Sequence, residues 1–248
     1  MSLLLSGPML KPLAIGAPDF NSVTFDGLND YLSKGTNLTS IADADTFTCV
    51  MRLAFAGSRD GVLVQMFRIE DSTNSSIIGV IKNTSNNIQV AARNSSGTVI
   101  LLHTGTSTVT SSDGMVTLFF NADLSADISE IYVDDTSHTD ATPTTLTTSG
   151  VIDYDCANFD NTTIMANNVA NNKFAGDAQF MWFDTTYYDI TQQSVRDKWA
   201  NTTALGSDGS GPGAQPLVYI TGAASVWNAG TNAGSGGNYT MNGSVADA

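Results

Sequence analysis

The sequence predicts an all-β protein, a sandwich or barrel of many short strands with one short helix near its C-terminus. Three observations carry this. From residue 22 onward, short runs alternate apolar and polar side chains with the two-residue period of a strand. The runs are separated by segments rich in Asn, Ser, Asp and Gly, the residues that make tight turns. Helical spacing stands out at residues 191–200, where Val195 and Trp199 lie four apart on one face.

Taken in order, residues 23–27 form a short strand closed by Gly27, and residues 29–32 follow directly. Residues 46–56 alternate cleanly, with Cys49, Met51, Leu53 and Phe55 on one face and Thr48, Val50, Arg52 and Ala54 on the other. A turn at 57–61 leads into a run in which Leu63, Phe67 and Ile69 share one parity with Gln65. Further strands are expected at 77–81, 88–92, 99–102, 116–120 and 128–133. Residues 134–150 and 153–163 read as polar loops, the second interrupted by Tyr154, Cys156 and Phe159.

Residues 174–184 place Ala178, Phe180 and Trp182 on one face and Met181 and Phe183 on the other, so this strand is expected to be covered on both sides. The helix after it follows a break at Thr191, a fair N-cap. It is too short to be stable alone and is expected to lie against the preceding sheet. Residues 206–213 have the composition of a flexible linker, and strand signals return at 216–221 and 239–241. The expected organisation is an extended N-terminal arm at 1–20, a sandwich at 21–205, and a Gly-rich linker and tail at 206–248 that packs on the sandwich or on a neighbour.

The 248 residues suffice for a sizeable core, as one large β domain or as two small ones, and length alone does not choose. Net charge is −14, from 24 acidic and 10 basic residues, and this argues against a protein that tracks nucleic-acid phosphates. No apolar run approaches the roughly 20 residues that a bilayer crossing needs, so no membrane partner is expected. Cys49 and Cys156 lack metal-ligand spacing; buried thiols are expected, with one long-range bridge as the alternative. At the N-terminus no basic residue precedes Lys11, and Gly7, Pro8 and Pro12 interrupt the apolar stretch. That pattern speaks against a secretion signal and for an apolar assembly arm carrying Leu3, Leu4, Leu5, Met9 and Leu10.

Phe25-Asp26-Gly27 and Asn29-Asp30-Tyr31 near the start, residues 174–183 and 188–191 near the end, and tail residues 215–220, Trp227, Asn228 and 234–237 together resemble one family. It is the concanavalin A-like lectin/glucanase (laminin-G-like) superfamily, as found in bacteriophage and prophage structural proteins. The resemblance spans residues 22–245. It implies a two-sheet antiparallel jelly-roll sandwich, first and last strand motifs lying near each other, and a viral setting.

Enzymes of that superfamily carry Glu-x-Asp-x-x-Glu on a strand. The nearest match is Glu130-Ile131-Tyr132-Val133-Asp134-Asp135, where Tyr132 replaces the central acid and the second acid arrives one position early. No catalytic residue is therefore assigned, and Asp134 and Asp135 read as the start of a turn. His103 and His138 are the only histidines, both read as solvent-facing, and no Gly-x-Ser-x-Gly elbow occurs. No cofactor is expected. Calcium is the one metal the pattern admits, through Asp153, Asp155 and Asp160, against the plainer reading of a solvated acidic loop. For a sugar, the aromatic and polar candidates are Tyr154 with Asp155 and Asn158, or Tyr187 and Tyr188.

The leading expectation is a phage virion structural protein, a lectin-like decoration or short fibre component on the exterior of the head or tail. Its expected partners are capsid or tail proteins and further copies of itself. The alternatives are a carbohydrate-binding module that attaches to host-surface glycans, and a glycoside hydrolase.

Overall fold

The structure, a computed structural model, describes residues 20–71, 76–139, 143–156, 159–166 and 172–248. The arm residues Leu3, Leu4, Leu5, Met9 and Leu10 lie outside the described residues, as does Asn158.

In chain order the strands are β1 (Val23–Asp26), β2 (Tyr31–Lys34), β3 (Thr46–Phe55), β4 (Val64–Asp71), β5 (Ser76–Lys82), β6 (Asn87–Arg93), β7 (Val99–Thr108) and β8 (Val116–Asp123). Then follow β9 (Ile128–Val133), β10 (Thr136–Ser137), β11 (Thr145–Leu146), β12 (Phe159–Ile164), β13 (Ala175–Asp184), β14 (Val218–Thr221), β15 (Thr240–Asn242) and β16 (Ala246–Asp247). Helical turns are α1 (Gln193–Arg196), α2 (Thr202–Leu205) and α3 (Ala224–Asn228). The first sheet runs β10-β9-β8-β3-β13-β1-β16, with β14 paired to the far half of β13. The second runs β11-β7-β6-β5-β4-β12-β2-β15. This is the all-β antiparallel sandwich expected from the sequence.

Between the sheets lies one large apolar core, to which β3 contributes Cys49, Met51, Leu53 and Phe55 and the second sheet contributes Phe67, Ile69, Val80 and Val90. Burial of this aliphatic and aromatic surface is the main stabilising term. The first and last motifs meet here: the Phe25 ring lies 5.8 Å from Phe174 and 5.6 Å from Trp227, both edge-on. Cys49 and Cys156 are buried and form no disulfide. No described helix is long and apolar enough to cross a membrane.

Several local expectations are corrected by pairing. Strand β13 is covered on both faces, but its register shifts between Ala178 and Phe180. The extra residue turns Ala178 toward the intersheet core with Met181 and Phe183, while Phe180 and Trp182 face outward. A second shift between Gln65 and Phe67 sends Met66 and Phe67 inward together. Gln65 is itself buried, its Nε2 donating to Phe67 O at 2.7 Å and Val80 O at 3.1 Å. Residues 159–164, read as loop, are strand β12, held between β4 and β2. His103, read as solvent-facing, is fully buried on the inner face of β7, opposite Val90. Thr191 does not cap the helix: its hydroxyl donates to Asp189 Oδ1 at 2.5 Å, and Gln192 holds the cap position.

The segment at 206–248 is part of the sandwich. It supplies β14 to the first sheet, β15 to the edge of the second beside β2, and β16 to the edge beside β1. The glycines at 206–213 allow close approach: a Cβ on Gly209 would strike the Tyr219 ring, and Gly209 O accepts the Trp182 indole N–H at 2.9 Å.

Candidate functional site

The outer face of the first sheet carries the site. Pairing aligns Tyr132, Phe119, Val50, Trp182 and Tyr219 in one row across β9, β8, β3, β13 and β14. The adjacent row holds Thr117, Arg52, Phe180 and Thr221. Residues 185–217 cross over this face and form a second core with Trp182, Ile190, Trp199, Leu205 and Tyr219. Trp199 stands edge-on to Trp182 at 5.2 Å and to Phe119 at 6.1 Å. The helix thus lies against the sheet that precedes it, as its length requires.

Arg196 fixes this cover. Its Nη1 donates to Ile190 O at 2.7 Å and Thr191 O at 3.2 Å, its Nη2 to Gln193 Oε1 at 2.6 Å, and its Nε to Asp135 Oδ1 at 3.4 Å. The guanidinium also lies over the Tyr132 ring, 4.5 Å from its centre.

Where the cover meets the Arg52 row, a cavity of about 170 Å³ opens, lined by Arg52, Thr117, Phe119, Asp134, Asp135, Gln193, Arg196, Asp197, Trp199 and Ala200. Phe119 and Trp199 border it but stay buried, 4% and 1% exposed. Arg52 is held from behind, Nε donating to Gln179 Oε1 at 2.7 Å and Nη1 to Thr117 Oγ1 at 2.6 Å. Its Nη2 has no hydrogen-bond partner among the described residues. Burial pulls the Arg52 pKa below its ordinary value, and the charge of Asp134 opposes that. Asp134 sits in the turn between β9 and β10 at φ 51°, and its Oδ1 accepts the Thr117 N–H at 2.8 Å. Asp197 Oδ1 accepts Gln193 Nε2–H at 2.9 Å. The second carboxylate oxygens of Asp134 and Asp197 have no hydrogen-bond partner among the described residues.

The sequence-derived candidates fall elsewhere. Tyr154 is fully buried, its hydroxyl donating to Thr46 O at 3.4 Å and its ring 6.1 Å from Phe183, so it offers no platform to a ligand. Its neighbours Asp153 and Asp155 do converge, together with Asp43, with one carboxylate oxygen from each within 4.8 Å of the others. The Ala44–Ile152 bridge brings these distant loops together, and Asp155 N–H donates to Asp43 Oδ1 at 3.2 Å. Burial, and then the charges of Asp43, Asp155 and Asp71, push the Asp153 pKa up. Calcium takes six to eight oxygens, and three partly solvated carboxylates do not by themselves make such a shell. The side chain of Asp160 lies outside the described residues.

Tyr188 is wedged edge-on between Trp182 at 5.8 Å and Trp199 at 5.7 Å, and its hydroxyl accepts the Ala214 N–H at 3.4 Å. It is a packing residue. Tyr187 is half-buried, and burial pushes its phenol pKa up. Glu130 accepts the Thr139 hydroxyl at 2.7 Å, and Asp134 begins the turn expected of it. Sequence reasoning missed Arg52, Thr117 and Asp197 as a group and Asp43 altogether. One signal was present: Arg52 is the single charge in the ten-residue strand β3.

No family model matches the chain, and no curated protein matches it. Solved structures match at the level of fold. A SAP-like pentraxin from Limulus polyphemus aligns with a TM-score of 0.51 and 8% identity, covering 71% of this chain and 81% of that one. A putative carbohydrate-binding protein from Bacteroides ovatus aligns with a TM-score of 0.56 and 12% identity over 92% of this chain. This chain spans 60% of the length of the Bacteroides protein. The sandwich has the concanavalin A-like lectin fold.

Proposed function

We propose that this chain is a carbohydrate-binding module that holds a sugar at the cavity beside Arg52. One observation carries the reading: a single opening of about 170 Å³, bordered by the buried rings of Phe119 and Trp199, exposes polar atoms of Arg52 and Asp134 that the fold leaves unused. Small-ligand sites are built this way, from apolar surface and a few placed polar groups. Sugar hydroxyls match the polar groups of this lining. The fold-level likeness to the putative carbohydrate-binding protein of Bacteroides ovatus supports the reading. Binding is favoured over hydrolysis because Glu130 and Asp134 both spend an oxygen on holding the β9–β10 region.

A glycan array probed with the folded chain is the test, followed by NMR titration of each hit with the Arg52 Nε–H and Trp199 indole signals as site markers. Hits that move these signals support the site. An array without hits overturns the function.

The setting of the module on the exterior of a phage head or tail is a further part of the proposal. It rests on the sequence resemblance and on the acidic, lysine-poor composition. Mass spectrometry of purified particles tests it, and absence of the chain from them overturns it.

A further inference from the structure

We infer that the cavity selects a neutral, hydroxyl-rich sugar residue and rejects uronic and sialic acids; this rests on the glycan-binding reading above. Two guanidinium groups, Arg52 and Arg196, face three carboxylates, Asp134, Asp135 and Asp197, so the lining carries one net negative charge. The Arg196–Asp135 pair largely neutralises itself, and four of the Arg196 hydrogen bonds are already spent on protein oxygens. What remains for a ligand includes Arg52 Nη2 as a donor and, as acceptors, the second oxygens of Asp134, Asp135 and Asp197, none of which has a hydrogen-bond partner among the described residues.

A hydroxyl both donates and accepts, so a run of ring hydroxyls satisfies this mixed set. A carboxylate only accepts. Where it replaces a hydroxymethyl group it can pair with Arg52, but it supplies no proton to Asp134 or Asp197 from that position and adds a like charge beside them, and such repulsion is an effective means of excluding a wrong ligand. The chain's net charge of −14 acts in the same direction, most strongly at low salt.

Matched sugar pairs test this without changing ring shape: methyl glucoside against methyl glucuronide, and methyl galactoside against methyl galacturonide. Each is titrated into the full chain with the Arg52 Nε–H and Trp199 indole signals as readout. The neutral member is expected to bind about tenfold more tightly at low salt, a gap that narrows as salt is added. The double variant Asp134→Asn, Asp197→Asn keeps a side-chain oxygen for Thr117 N–H and another for Gln193, so the local bonds persist while the lining becomes net positive. In it, the acidic member is expected to approach or overtake the neutral one. Equal or tighter binding of the uronides by the wild type overturns the inference, as does a neutral-to-acidic ratio that the double variant leaves unchanged. So does tightest binding of methyl glucosaminide, which would make the site a cation site. In each of these cases glycan binding itself stands. If no sugar of any charge moves the Arg52 and Trp199 signals, the glycan-binding reading of this cavity falls, and the selectivity falls with it.

Discussion

His103 Nδ1 lies 2.9 Å from Ser129 Oγ, a hydrogen bond that crosses the interior from β7 of the second sheet to β9 of the first. Both residues are buried. At the same edge the backbone of His138 links the sheets again, its N–H donating to Ile131 O at 2.8 Å and its carbonyl accepting Thr106 N–H at 2.9 Å. Polar bonds therefore tie the two layers together where the apolar core gives out. Ser129→Ala removes one partner of a buried imidazole, and about 1–3 kcal/mol of stability is expected to go with it. Urea denaturation checks this through a lower midpoint at unchanged slope. An unchanged midpoint would leave the bond without a role in stability.

The acidic cluster gives a pH signature. Asp153 has a raised pKa, chiefly from burial and then from Asp43, Asp155 and Asp71. For a carboxyl whose folded pKa exceeds its unfolded value, the associated stability is fully present below the unfolded pKa and is lost as pH rises through the folded one. Asp153→Asn is therefore expected to stabilise the protein near neutral pH and to do nothing in acid below about pH 3.8, the ordinary value for Asp. These carboxylates are partly solvated, so the gain stays under about 1 kcal/mol. Thermal melts at the two pH values decide; an equal gain at both would point to packing rather than charge.

Asn232 pins the C-terminal segment. Its Oδ1 accepts the N–H of Tyr219 at 2.7 Å and of Gly234 at 3.0 Å, while its Nδ2 donates to Leu217 O at 2.9 Å and Gly237 O at 3.0 Å. Asn232→Ala deletes all four bonds in a buried setting, with an expected cost of at least about 2 kcal/mol. Limited proteolysis should then cut within 222–248 well before the rest of the chain. Cleavage at the wild-type rate would show that β14 to β16 are held by other means.

Cys49 offers a chemical probe of the intersheet core. Burial pushes its thiol pKa well up, and the thiolate is the reactive form. The folded protein is expected to leave Cys49 unalkylated by iodoacetamide at neutral pH, whereas the urea-unfolded chain reacts readily. Mass spectrometry of the peptide around Cys49 reads the difference, and rapid labelling of the native state would reveal frequent opening of the sandwich.

By itself the sequence determined what neighbouring residues encode. Alternation placed β3, β5, β6, β8 and β9 within about three residues and gave the start of β7, which runs six residues further than expected. It identified the two-sided burial of β13 and the docking of the helix around Trp199, because inside and outside are set residue by residue along a strand. Strand β12 escaped it, since Phe159 and Ile164 bracket four polar residues and the segment becomes a strand by pairing with β4 and β2 on either side. The bulge at Gln179 likewise exists only through the register of β13 on β3, and it reassigns Ala178 from one core to the other. The site was the least legible part. Arg52 stood out as a lone charge, but its proximity to Asp134 and Asp197 depends on a hairpin turn and on the cover laid across the sheet by residues 185–217. Periodicity is a property of adjacent residues, whereas a cavity is made by convergence, and convergence is decided by tertiary packing.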